Sequence, residues 1–178
     1  LLPISENPAV ITYNSHWLRE MRFADVLALA SRVSVQQMIE RDMFQQRIES
    51  QRPVHIHEFM YPLMQGYDSV AMSVDGEVGG NDQTFNMLMG RHLEKEMIGK
   101  EKFVIATKLL VASDGSKMGK TTGNMLSLFD EPSDMFGKVM SIKDELIADY
   151  LELATRLSKV GIEEIVGKSL PAGRQASP

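Results

Sequence analysis

The sequence predicts an α/β fold built around a parallel sheet, and three observations carry that expectation. The best strand in the chain, Phe103 to Val111, is apolar and rich in β-branched residues. Segments with helical apolar spacing lie on both sides of it, and strands alternating with helices favour parallel pairing through helical crossovers. A chain of 178 residues, 43% of them hydrophobic, is long enough to bury one core and too short for two complete domains.

In chain order, Val10-Ile11-Thr12-Tyr13 reads as a short strand. Phe23, Val26, Leu27 and Ala30 repeat at helical spacing and predict a first helix. Ser34 followed by Gln37 is a capping-box pattern, and Val35, Met38, Ile39 and Ile48 predict a second helix that ends before Pro53. A third is expected to begin near Pro62, a residue tolerated in a first helical turn. Met60, Leu63, Met64, Tyr67 and Ala71 form its apolar stripe, and Asp75-Gly76 the turn behind it. Glu77-Val78-Gly79-Gly80 leads to Asn81, a good N-cap, and to a helix carrying Phe85, Leu88, Met89 and Leu93. Ser113-Asp114-Gly115 closes the strand that starts at Phe103. Ser141 with Asp144 is a further capping box before Ile147, Tyr150, Leu151 and Ala154. The Met-rich stripes read as core filler, and the small, polar, Pro-flanked end from Pro171 as a flexible tail or linker.

Bulk properties narrow the function classes. With no cysteine, disulfides, thiolate metal sites and a cysteine nucleophile are excluded, which fits a reducing cytoplasm. The apolar runs fall well short of the roughly 20 residues of a membrane span, so a soluble protein is expected. A net charge of -5 leaves nucleic-acid binding to a local basic patch, for which Lys100, Lys102, Lys108, Lys117 and Lys120 are the candidates. The start, Leu1-Leu2-Pro3-Ile4, lacks the features of a signal peptide and reads as cut from something longer.

Three segments could carry chemistry. Tyr61, Gln65 and Asp68, at i, i+4 and i+7, place a phenol, an amide and a carboxylate on one side of a helix, a set able to hold a zwitterionic, hydroxyl-bearing small molecule. A solvated helix face is the plain alternative. Gly79-Gly80-Asn81-Asp82-Gln83 sets flexible backbone before a helix N-terminus, which favours polar or anionic ligand atoms, or is simply a tight turn with an ordinary cap. Lys117-Met118-Gly119-Lys120-Thr121 is a polar loop with two mobile ammonium groups. It suits a triphosphate and a departing pyrophosphate but lacks the P-loop order. His55 and His57 flank Ile56 without an evident third ligand, so no metal site is expected.

Together and in this order, Tyr61-Pro-Leu-Met-Gln65-Gly-Tyr-Asp68, Gly79-Gly-Asn-Asp-Gln83 and Lys117-Met-Gly-Lys-Thr121 resemble the bacterial tyrosyl-tRNA synthetases. The resemblance extends over residues 10 to 165, including Tyr13-Asn14-Ser15-His16-Trp17-Leu18 and the stretch from Asp134. It implies the second half of a Rossmann-like class I catalytic domain, in residues 1–130, with a helical connective and dimer-interface insertion at about 21–53. A KMSKS-type loop at 117–121, a helical segment at 131–168 and a tail at 169–178 complete it. The implied activity is formation of tyrosyl adenylate from L-tyrosine and ATP, with Mg²⁺ bound to the ATP, then transfer to tRNA(Tyr), in a cytoplasmic homodimer.

By the same resemblance, Tyr61 and Gln65 hold the ammonium side of tyrosine, Asp68 takes its phenol and Gln83 lies near its amino and carboxyl groups. Gly80 and Asp82 serve the adenylate, and Lys117, Lys120 and Thr121 grip the phosphates. Gly119-Lys120-Thr121 replaces the commoner Ser-Lys-Ser, keeping both lysines and a hydroxyl. The first Rossmann strand, the His-containing ATP signature and the anticodon-binding region are not in this sequence, so the chain by itself is expected to be inactive. A tryptophanyl-tRNA synthetase, against which Asp68 argues, and a noncatalytic binding fragment are the rival readings.

Overall fold

The computed structural model describes residues 9–112, 116, 118 and 125–169. Its contacts divide the chain into two compact units, Leu1–Thr107 and Lys108–Pro178. In the first unit, helices α1 (Ser15–Leu18), α2 (Phe23–Ala30), α3 (Val35–Ile39), α4 (Asp42–Glu49) and α5 (Ile56–Met72) precede strand β1 (Gly76–Gly80), helix α6 (Thr84–Ile98) and strand β2 (Phe103–Thr107). The two strands pair in parallel, Gly76 opposite Phe103 and Gly80 opposite Thr107, and α6 is the crossover that parallel pairing demands. The expected α/β arrangement is present.

Several expected boundaries move, each for a tertiary reason. Residues 10 to 13 form no strand: Val10 and Ile11 are exposed, and no neighbouring strand among the described residues pairs with their backbone. The single helix expected from Val35 toward Pro53 is two. Arg41 is extended (φ -64°, ψ 128°) and its guanidinium lies over the rings of Phe44 and Phe85, at 5.2 and 5.1 Å. The break also seats Phe44, fully buried, edge-on against Phe59 at 5.0 Å. Helix α5 begins at Ile56, so Pro62 lies inside it rather than in its first turn. The turn ahead of the proline is tied down by Glu58, which accepts the His55 N–H at 2.9 Å and the Arg47 guanidinium, and Pro62 itself is buried. Strand β2 stops at Thr107 rather than Val111 because β1 offers no partner beyond Gly80. Asn81 is not the cap of α6 but opens a single 3-10 turn, Asn81–Gln83, in which Thr84 Oγ1 donates to its carbonyl at 2.7 Å.

The core of this unit is a cluster of Leu29, Met38, Leu63, Met89 and Leu93, with α5 packed along α6. Glycine is needed twice at that contact. A Cβ on Gly66 would come within 2.9 Å of Leu93 Cδ1, and one on Gly90 within 2.6 Å of Ser69 Oγ.

The second unit contains α7 (Pro132–Met140), α8 (Ile147–Ala154) and α9 (Lys159–Ser169). Ser141 and Asp144 make no capping box. Ser141 ends α7, its hydroxyl donating to the Lys138 carbonyl at 2.7 Å, and Asp144 starts a 3-10 turn ahead of α8. Buried Tyr150 donates to the Val111 carbonyl at 2.5 Å, and Ile162 is buried on α9. The Ser113-Asp114-Gly115 turn and the tail from Pro171 lie outside the described residues. Among the described residues no helix is long and apolar enough to cross a membrane.

Candidate functional site

Helix α5 sets Tyr61, Gln65 and Asp68 one turn apart along a single side, as their spacing requires. Tyr61 is exposed, while Gln65 and Asp68 are half-buried. The Asp68 carboxylate is held by two donors far away in sequence. Trp17 Nε1 donates to Oδ1 at 2.8 Å and Asn14 Nδ2 to Oδ2 at 3.4 Å. No local pattern in the sequence marks Asn14 and Trp17 for this role. The signal available was their place in the Tyr13–Leu18 stretch that carries the resemblance. The two hydrogen bonds fix the orientation of the carboxylate, so a ligand hydroxyl reaching it meets an aligned acceptor.

Gln65 and Gln83, from different elements, are brought together by Asn86 on α6. Asn86 Nδ2 donates to Gln65 Oε1 at 3.0 Å and to Gln83 Oε1 at 3.1 Å, and the Gln83 amide donates in turn to Asp82 Oδ2 at 3.3 Å. Asn86, buried and not singled out by the sequence, is thus the link between two predicted site residues. Gly80 is the last residue of β1, so Asp82 and Gln83 sit in the turn at the strand's carboxyl end, the position where open α/β sheets bind ligands. Lys117, Lys120 and Thr121 lie outside the described residues.

Among the described residues, three lysines of the basic patch are paired with carboxylates. Lys102 is buried, its Nζ 2.5 Å from Glu77 Oε2 and 2.6 Å from Ser69 Oγ; Lys100 pairs with Asp75 at 3.0 Å and Lys108 with Glu152 at 2.9 Å. Each of these three ammonium groups meets a carboxylate that the linear sequence could not pair with it. Near Lys102 on α6, Glu94 is fully buried, with neither oxygen hydrogen-bonded among the described residues. Burial pushes its carboxyl above the ordinary value, against the pull of Lys102 and Lys100. His55 and His57 stack on each other with ring centroids 5.8 Å apart. Among the described residues no group of three or more His, Cys, Asp or Glu gathers as metal ligands. Trp17 also lines a cavity of about 370 Å³ with Met21, Leu29, Arg32 and Tyr67, and none of the predicted site residues among the described ones lines it.

Comparison with known proteins identifies the family. Residues 2–174 match the family described as tRNA synthetases class I (W and Y). The chain is 48% identical over 156 residues to a tyrosine–tRNA ligase of Moorella thermoacetica, covering 87% of this chain and 37% of the relative. It is 49% identical over 156 residues to tyrosine–tRNA ligase 2 of Vibrio parahaemolyticus, covering 87% of this chain and 39% of the relative. The chain therefore spans well under half the length of these relatives. Among solved structures, tyrosyl-tRNA synthetase from Archaeoglobus fulgidus complexed with L-tyrosine is similar in fold, with a TM-score of 0.59 at 24% identity over 79% of this chain and 44% of that one.

Proposed function

Because the chain belongs to the family of class I tRNA synthetases for tryptophan and tyrosine, and has a Rossmann-like α/β fold, we propose that it forms the amino-acid side of a tyrosine–tRNA ligase active site. The observation that carries the reading is Asp68, a carboxylate aimed by Trp17 and Asn14 on the same helix side as Gln65 and Tyr61. A carboxylate held in this way suits a phenolic O–H, and a phenylalanine ring would leave it unpaired. Tyr61 and Gln65 then receive the substrate ammonium, and Gln83 lies beside the amino and carboxyl groups. Gly80 and Asp82, at the end of β1, serve the ribose side of the adenylate.

In this reading the tyrosine carboxylate attacks the α-phosphorus of ATP, a P–O bond forms, and pyrophosphate leaves with the bond that breaks. No side chain need transfer a proton, so catalysis is positioning plus stabilisation of charge on the phosphates. Lys117, Lys120 and Thr121 are the groups assigned to those phosphates, with Mg²⁺ entering on ATP. Transfer to tRNA(Tyr), a homodimer built through the helices at about 21–53, and a cytoplasmic location complete the proposal. The test is tyrosine-dependent ATP–pyrophosphate exchange by the intact protein that carries this chain, with phenylalanine and tryptophan as controls. Exchange with tyrosine alone is expected; exchange with tryptophan and not tyrosine overturns the substrate.

A further inference from the structure

The polar chain that joins the two glutamines does not end at them. Gln65 Nε2 donates to Glu77 Oε1 at 3.5 Å, a long hydrogen bond, and Glu77 Oε2 is occupied by Lys102 Nζ at 2.5 Å and Ser69 Oγ at 3.4 Å. The sequence of groups is therefore Lys102, Glu77, Gln65, Asn86, Gln83 and Asp82, and the two carboxylates in it can accept but, when ionised, cannot donate. That asymmetry dictates the direction of every amide between them. Each glutamine turns its NH₂ outward, Gln65 to Glu77 and Gln83 to Asp82, and its carbonyl inward, where the Asn86 NH₂ donates to both. The reversed Gln65 would set its oxygen against the Glu77 carboxylate and its NH₂ against the NH₂ of Asn86. Lys102, whose side chain is fully buried, holds Glu77 by one oxygen and leaves the other facing Gln65.

We propose that Glu77, held by Lys102, is a positioning residue for the amino-acid pocket, fixing Gln65 so that it presents a carbonyl oxygen rather than an NH₂ to the substrate ammonium. The role rests on the assignment of Gln65 to the ammonium side of tyrosine. An amide carbonyl has two acceptor directions, so Gln65 Oε1 can keep Asn86 and still take one N–H of a cation. An amide free to flip would present N–H groups to a positive charge for part of the time.

Two double variants replace the buried ion pair without leaving a lone charge, a change often tolerated by the fold. E77Q/K102M keeps an acceptor oxygen next to Gln65, whereas E77M/K102M removes it. Equilibrium binding to the intact protein is measured for L-tyrosine, for tyramine, which keeps the ammonium, and for 3-(4-hydroxyphenyl)propionate, which lacks it. E77M/K102M is expected to weaken tyrosine and tyramine roughly tenfold, the size of one hydrogen bond to a charged group, and to leave the desamino acid within about twofold. E77Q/K102M, whose amide can turn either way and so fixes Gln65 for only part of the time, should weaken the two ammonium ligands by no more than about threefold and leave the desamino acid unchanged. Equal weakening of all three ligands, or the same behaviour from both double variants, overturns the positioning role. Should E77M/K102M fail to fold, E77L/K102M removes the same acceptor with a differently shaped side chain, and a loss not confined to the two ammonium ligands overturns the proposal equally. A parent protein that binds none of the three ligands refutes the tyrosine reading, an outcome distinct from failure of the positioning role.

Discussion

Two carboxylates on neighbouring helices meet opposite surroundings. Asp68 on α5 is half-buried and receives two side-chain donors, Trp17 Nε1 and Asn14 Nδ2. Glu94 on α6 is completely buried and receives no hydrogen bond among the described residues. Donors hold the first in a fixed orientation. Without them, burial favours the protonated form of the second, whatever Lys102 and Lys100 contribute through space, while Asp75 and Glu77 push the same way as burial. The contrast separates a carboxylate oriented by donors from one buried without them, although both are acids on adjoining helices.

The largest expected effect breaks the first half of that contrast. Asp68→Ala should reduce the preference for tyrosine over phenylalanine by about 10- to 100-fold, the worth of hydrogen bonds to a charged group. Trp17→Phe, which deletes one donor and keeps the ring, should cost a smaller part of the same preference. The ratio of kcat/KM for the two amino acids, taken on the intact protein that carries this chain, measures both, and an unchanged ratio in Trp17→Phe would show that the indole does not set the carboxylate.

The second prediction concerns Glu94. Glu94→Met should stabilise the protein by about 1–3 kcal/mol at pH 7, because it removes a buried polar group that lacks partners. The folded-state pKa is raised above the ordinary 4.5, so the folded form binds the extra proton and stability declines as pH climbs above 4.5. Urea unfolding at pH 4.5 and pH 7 should show that decline in the parent and not in the Met variant. A variant less stable than the parent at pH 7 would mean that Glu94 has a partner worth more than its burial costs.

The smallest effect belongs to a third carboxylate with yet another environment. The Arg47 guanidinium, and after it the His55 N–H, hold the carboxyl of Glu58 down to about 2 from 4.5. Its contribution to stability is present above pH 4.5 and is lost as pH falls toward 2. Glu58→Gln should therefore lower the melting temperature slightly at pH 7 and flatten its acid limb between those values. An unaltered limb would place the Arg47 contact among exposed ion pairs of no net worth.

Much of this architecture is legible in the sequence because it is written in short-range pattern. The apolar period of Phe23 to Ala30 and of Leu63 to Tyr67 marks helices, and the alternation of strand and helix from Glu77 to Thr107 marks a parallel pair. The Ser34 and Gln37 pairing is found as expected, with the Gln37 N–H on Ser34 Oγ at 3.2 Å. The side-by-side placement of Tyr61, Gln65 and Asp68 follows from helical geometry alone. What orients those groups was not legible. Trp17 and Asn14 are 51 and 54 residues from Asp68, and Lys102 is 25 from Glu77. No local rule links residues at such separations.

The sequence by itself therefore determined the order and type of the main elements, and which side chains share a helix face, since both depend on periods of a few residues. Tertiary structure alone decided that Arg41 splits one expected helix in two, that Pro62 lies within α5, and that Lys102 is an internal counter-ion for Glu77 instead of part of a basic surface. In each case a local preference, for helix continuity at Arg41, for a first-turn place at Pro62 or for a solvated ammonium at Lys102, yields to burial and pairing with groups that meet only when α4, α5, α6 and β1 come together.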